Sequence, residues 1–142
     1  MKKFEIIDIT TADIAFKAYG KDINELFENS AFALFSIIGN ISKVDRKIKK
    51  DVKCEANDLI SLMFNWLNEL LFLSDSEYVI FSNFKVDIKK INESNFVLNA
   101  ICEGEKIDEK KHEIKTHVKA ATYHNMKIEK NDVWEAQVIL DV

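Results

Sequence analysis

Two carboxylates stand where neither a core pattern nor a helical face calls for one. Asp13 lies at the junction of two strand-like runs, in Thr10-Thr11-Ala12-Asp13-Ile14, where its side chain can be presented at the end of a sheet. Asp141 ends the apolar run Ala136-Gln137-Val138-Ile139-Leu140 and is followed by Val142. If folding brought these acids to one sheet edge, the Val142 carboxylate would add further anionic oxygen, and such hard donors select Ca²⁺ or Mg²⁺ over softer metals. Two clustered acids without a cation repel each other. Each also has a plainer reading, Asp13 as a turn-former bonding its own backbone and Asp141 as an exposed chain end.

Lys119 interrupts a run of small and β-branched residues, between Val118 and Ala120-Ala121. A lysine there either snorkels at a rim or is held near a carboxylate. Its parity matches His117 and Tyr123, which would line an ammonium, an imidazole and a phenol along one strand face. The competing reading is a solvated outer sheet face. His112, in a charged stretch, and His124, at a strand junction, read as surface histidines. Glu69 sits inside the most apolar helical segment and is placed on its thin polar face with Asp58, Asn65 and Asn68. Residues 43–53 carry six basic side chains against Asp45 and Asp51, either a surface for RNA phosphate or acidic protein, or a sheet edge guarded by lysines.

The familiar catalytic signatures are missing. There is no Gly-x-Ser-x-Gly elbow and no His-Glu-x-x-His pair, and only three glycines exist to build a phosphate-cradling loop. With 20 Lys and Arg against 24 Asp and Glu, the formal charge of −4 argues against a free-standing nucleic-acid binder. Cys54 and Cys102 form no CxxC pair and read as buried thiols of a reducing cytoplasm rather than a zinc site. No signal peptide or bilayer-spanning stretch is expected.

The elements that must carry these residues follow from periodicity. Ile23, Leu26, Phe27, Ala31, Leu34, Phe35 and Ile38 have the helical rhythm, with Asp22 and Glu25 in capping-box spacing and Gly39-Asn40 as a left-handed stop. A second helix begins near Asn57 or Asp58; its broader stripe, widened by Phe64, Phe72 and Leu73, predicts the deeper packing of the two. Period-two patterning predicts strands at 4–9, 14–18 and 43–54, a hairpin of 84–88 and 96–102 about a five-residue loop, and strands at 114–122, 123–129 and 134–142. Residues 104–113 read as a mobile surface loop. At 142 residues, 47% of them hydrophobic, the chain should form one domain. The order of elements indicates an α+β fold, a largely antiparallel or mixed sheet with two helices packed on one face.

Four fragments, in order, resemble one family. Thr11-Ala12-Asp13-Ile14, then Ala18-Tyr19-Gly20 and Leu26-Phe27-Glu28, are similar to the opening of the archeases. Trp66-Leu67-Asn68-Glu69-Leu70-Leu71 resembles their second-helix signature, and Lys119-Ala120-Ala121-Thr122-Tyr123-His124 their Lys-Ala-x-Thr-Tyr-His segment. Trp134-Glu135-Ala136 and Ile139-Leu140-Asp141-Val142 resemble their closing strand. Two positions depart from the pattern: Thr10 stands where the family usually has His, and Ala15 where it has Gly.

The resemblance implies a single archease-like domain over residues 1–142 and an accessory protein of tRNA splicing, not an enzyme in its own right. Archeases assist the GTP-dependent RNA ligase that joins a 2′,3′-cyclic-phosphate or 3′-phosphate end to a 5′-hydroxyl end, promoting its guanylylation and multiple turnover. The resemblance also implies a divalent ion, Ca²⁺ first with Mg²⁺ or Mn²⁺ as alternatives, held by Asp13 and Asp141 with oxygen from Val142, and Lys119 in the same cluster. The partner would be the ligase, with RNA reached only through it and no membrane contact. Two rivals use the same residues differently: a metal-dependent phosphoesterase with His117 or His124 as base, and an RNA-binding or chaperone-like module built on 43–53.

Overall fold

Alternation between core and solvent sets the strands. In the strand Asp13–Gly20, Ile14, Phe16, Ala18 and Gly20 are buried while the residues between them are not, and Trp134–Asp141 buries Ala136, Val138 and Leu140 in the same way. The structure, a computed structural model, describes residues 2–142, without the side chains of Asp8 and Ile9. Among the described residues the order is β1 (Phe4–Ile9), β2 (Asp13–Gly20), α1 (Ile23–Ile38), β3 (Ile48–Ala56), α2 (Leu59–Glu77), β4 (Val79–Asn92), β5 (Asn95–Lys106), β6 (Ala120–Lys130) and β7 (Trp134–Asp141).

The α+β expectation holds, with the strands divided between two antiparallel sheets ordered β1-β2-β7-β6 and β3-β5-β4. Helix α1 packs on β2 and β4, and α2 on β6 and β3, so each helix joins the two sheets into one core. Trp66 crosses between the helices and donates its indole N–H to the Phe27 carbonyl at 3.0 Å. The deeper burial expected of α2 belongs instead to α1. Ten of the 16 residues of α1 are buried against seven of the 19 in α2, where Phe72 stays 63% exposed.

The start of α1 is as read: Asp22 accepts the Glu25 N–H at 2.8 Å, and Glu25 reaches back to the Lys21 N–H at 3.0 Å. Its end is not. Gly39 is extended, with φ −162°, and glycine is required because a Cβ would lie 2.9 Å from the His112 carbonyl oxygen. Helix α2 starts on Asp58, which accepts the Ser61 N–H at 2.7 Å, and ends at Tyr78 in the left-handed region.

Several strand limits move. The run 43–54 opens with a 3-10 turn at Ile41–Lys43, capped by Asn40, and becomes strand only at Ile48. The central hairpin turns over two residues, Glu93-Ser94, instead of five, and its strands are correspondingly longer. Residues 114–119 make no ladder, and β6 runs from Ala120 through Tyr123 as one strand with an irregularity between Thr122 and Lys127.

The expected mobile loop at 104–113 is fastened down. Glu105, 7% exposed, accepts the Asp45 N–H at 2.9 Å, the Lys111 ammonium at 2.7 Å and the ring of His112 at 2.8 Å. His112 is fully buried and not a surface histidine. Its Nδ1 accepts the Asp108 N–H at 2.9 Å, so the proton sits on Nε2 and is donated to Glu105. The Asp45 N–H, Lys111 and His112 together hold the Glu105 carboxyl down at about 2.

A pKa held below the ordinary glutamate value stabilises the fold above that value, and the stabilisation disappears as pH falls from 4.5 through about 2. Glu105→Gln should therefore lower the unfolding free energy at neutral pH by about 1–3 kcal/mol, and flatten its pH dependence across that acid window, in urea titrations. Gly104→Ala should cost ~1–3 kcal/mol in the same assay, because a Cβ there meets the Ile80 carbonyl, backbone that cannot swing aside.

Candidate functional site

Asp13 opens β2, Asp141 closes β7, and the two stand directly opposite each other in the antiparallel register. The Val142 N–H donates to the Ala12 carbonyl at 3.0 Å, which makes Ala12 and Val142 the hydrogen-bonded pair and leaves Asp13 and Asp141 as the neighbouring non-hydrogen-bonded pair. That pair type brings Cα atoms to about 4.5 Å, with the side chains at their closest. Because Ile14 and Leu140 are buried, both carboxylates leave on the face turned away from the core. Asp13 is exposed and Asp141 half-buried.

Lys119 joins them from the other side of β7. Its N–H donates to the Asp141 carbonyl at 2.8 Å, and Ala120 is paired with Asp141. Four sequence-predicted site residues, Asp13, Lys119, Asp141 and Val142, thus meet at one end of the first sheet. The row of His117, Lys119 and Tyr123 does not form. Residue 117 precedes the ladder and lines a groove with Leu71, Asp75 and Ile114, while Tyr123 stacks on Phe64 at 3.9 Å with rings 6° from parallel. His124 lies in the irregular part of β6, exposed, its ring 3.4 Å from the Asn125 amide.

The turn-former reading of Asp13 passes to another residue. Thr10 Oγ1 accepts the N–H groups of Ala12 at 3.2 Å and Asp13 at 3.0 Å, and the Thr10 N–H donates to the Asp13 carbonyl at 2.8 Å. The hydroxyl at position 10 closes the turn, so the Asp13 carboxylate is not consumed by it. Among the described residues no ion pair involves the carboxylate of Asp13 or Asp141.

Like charges directly opposite on two strands are destabilising, and a cation between them relieves the repulsion. The donors are all oxygen, which fits Ca²⁺, Mg²⁺ or Mn²⁺ and not a thiolate-seeking metal. The thiols are remote from this chemistry: burial pushes Cys54 up to about 11 and Cys102 up to about 12. No three His, Cys, Asp or Glu side chains converge among the described residues. The protein donors at this end are therefore two carboxylates and main-chain oxygen at Val142, an open set that water or a second molecule would complete.

Sequence reasoning placed Asn65 and Asn68 with Glu69 on a polar helix face. Glu69 is half-buried, while both amides have definite partners: Asn65 donates to the Glu55 carbonyl at 3.0 Å and Asn68 bonds the Ala121 backbone in both directions. The only sequence signal was a pair of carboxamides in an otherwise apolar helix. The basic row on 43–53 forms an edge, as β3 borders its sheet, and much of its charge is matched. Lys43 pairs with Glu113, Lys47 with Glu105, Lys50 with Glu77 and Lys53 with Glu55.

Comparison with known proteins identifies the fold and the family. Residues 4–142 match the model of the Archease protein family. The chain is 45% identical to protein archease of Pyrococcus abyssi and 41% identical to protein archease of Methanothermobacter thermautotrophicus, in both cases over 100% of each chain. The solution structure of Methanobacterium thermoautotrophicum protein 1598 superposes with a TM-score of 0.87 at 41% identity, again covering 100% of both chains. With the whole chain matched in sequence and in fold, this protein belongs to the archease family.

Proposed function

We propose that this archease is an accessory protein of a GTP-dependent RNA-splicing ligase, promoting ligase guanylylation and multiple turnover in tRNA splicing or RNA repair. The observation that carries the reading is the direct opposition of Asp13 and Asp141, with Lys119 bonded to the Asp141 backbone, at an exposed sheet end. Asp13, Asp141 and the Val142 main-chain oxygen would hold a divalent cation, Ca²⁺ first with Mg²⁺ or Mn²⁺ as alternatives. Such an ion supplies positive charge to phosphate or carboxylate oxygens in a partner's active site.

The chain's own part is presentation. The two strands fix the backbone from which the carboxylates project, Thr10 keeps that of Asp13 out of the turn, and the Lys119 ammonium adds a positive charge for a nucleotide phosphate. The two imidazoles that a phosphoesterase would use as base lie elsewhere, His117 in a groove with Leu71 and Asp75 and His124 beside Asn125, which favours a helper. The compensation of lysines on 43–53 by Glu55, Glu77, Glu105 and Glu113 weakens the case for RNA binding there and leaves RNA contact to the ligase. Among the described residues no helix is long and apolar enough to cross a membrane, and the two buried free thiols suit a cytoplasmic setting.

Asp13→Ala and Asp141→Ala should each weaken binding of Ca²⁺, titrated calorimetrically into the pure protein, by about tenfold or more, since the site loses half its side-chain charge. Both should cut stimulation of guanylylation of the cognate ligase to a similar degree. Undiminished stimulation by both variants removes the proposal. Phosphoester turnover by the protein alone would replace it with the hydrolase reading.

A further inference from the structure

Asn68, in the third turn of α2, presents its carboxamide to the outer edge of β6: Oδ1 accepts the Ala121 N–H at 2.9 Å and Nδ2 donates to the Ala121 carbonyl at 3.2 Å. A carboxamide has the donor and acceptor of a peptide group, so it occupies the place that a further strand would take. Nδ2 also donates to the Phe64 carbonyl at 3.0 Å, which fixes the amide plane to its own helix. That helix is a rigid anchor, with Trp66, Leu67 and Leu70 fully buried.

Besides the Lys119 bond to Asp141 and the burial of Val118 and Ala121, the segment it holds has only a short ladder. Before Ala120 the chain makes no ladder with β7, and after Thr122 the register breaks, β6 advancing from Thr122 to Lys127 while β7 advances only from Ile139 to Gln137. Only Ala120, Ala121 and Thr122 are paired at this end of β6, and Lys119 stands immediately before them. The Phe64–Tyr123 stack supports the far end of this short ladder from the same helix.

We propose that Asn68 is a positioning residue of the tip: its two-way bond to the Ala121 backbone fixes the start of β6 so that Lys119 stays beside Asp141. The inference rests on the reading of Lys119 as part of the functional cluster. It makes the second-helix segment, remote in sequence from both acids, part of the device that sets the tip's cationic side. The acid pair, held by β2 and β7, does not depend on it.

The test uses the full chain and two variants. Asn68→Ala removes both bonds, while Asn68→Asp keeps an acceptor for the Ala121 N–H and loses the donor. Amide hydrogen exchange should quicken by about tenfold or more at Lys119 and Ala121 in Asn68→Ala, with Val52 and Leu98 in the other sheet unchanged and Ca²⁺ affinity at the acid pair kept. Asn68→Asp should give the same local pattern with a smaller change. In ligase guanylylation, Asn68→Ala should match Lys119→Ala, and the double variant should lose no more than either single one. An unaltered Lys119 exchange rate in both variants, or equal acceleration throughout both sheets, overturns the inference, as do losses that multiply in the double variant. Full stimulation by Lys119→Ala would instead overturn the role given to Lys119, while the exchange measurement still decides whether Asn68 positions it.

Discussion

The register of β2 against β7 is the constraint from which the rest follows. Ile14 lies opposite Leu140, Phe16 opposite Val138 and Ala18 opposite Ala136, all buried, so the inner face of this strand pair is continuous core. Sliding one strand by a single residue would carry that entire set to solvent and is correspondingly costly. The acids gain their opposition from this. They are the next pair along the ladder, on the opposite face, and a register chosen by apolar burial leaves them nowhere else to be. The electrostatically unfavourable pairing is thus imposed by a core strong enough to tolerate it.

A second theme is how the sheets end. Open strand edges invite pairing with other chains, and here helix side chains close several of them. Asn24 and Glu28 of α1 accept the Ile88 and Val86 N–H groups of β4, each at 2.8 Å, and burial raises the Glu28 carboxyl above its ordinary value. From α2, Asn65 donates to the Glu55 carbonyl of β3, and Asn68 both accepts from and donates to the Ala121 backbone of β6. Each helix therefore contributes an apolar face to the core and a few short polar side chains to the rims. Helix packing and sheet termination are performed by the same two elements, which leaves little freedom in where the strand ends lie.

Charge is distributed by the same economy. The lysines of β3 and the residues before it are paired with acids brought from α2, β5 and the connector after it, so a strongly basic stretch of sequence becomes a nearly balanced edge. Glu105 gathers Asp45, Lys111 and His112 around one buried carboxylate and turns a hydrophilic connector into an ordered one. At the tip the balance is left open: two carboxylates share one strand pair with no ion-pair partner among the described residues. What sets the sheet end apart is that its two uncompensated carboxylates stand directly opposite each other in one strand pair.

Much of this was legible in the order of residues. Helical and two-residue periods located both helices and most strands, because burial on one face writes itself into spacing; Asp22, Asp58 and Glu25 marked helix starts through local bonds. Asp13, Lys119 and Asp141 could be named because polar residues at those positions break an alternation. What spacing could not convey was any contact between distant segments. The burial of His112 depends on Glu105 reaching it across a turn, the limits of β6 on a broken register with β7, and the task of Asn68 on a strand 53 positions away. Sequence alone settled both helices, most of the strands and which residues lie out of pattern, since these are local properties of the chain. Only the tertiary structure decided which of those residues meet, because cross-strand register and helix-to-edge bonds are fixed by the packing of the whole core.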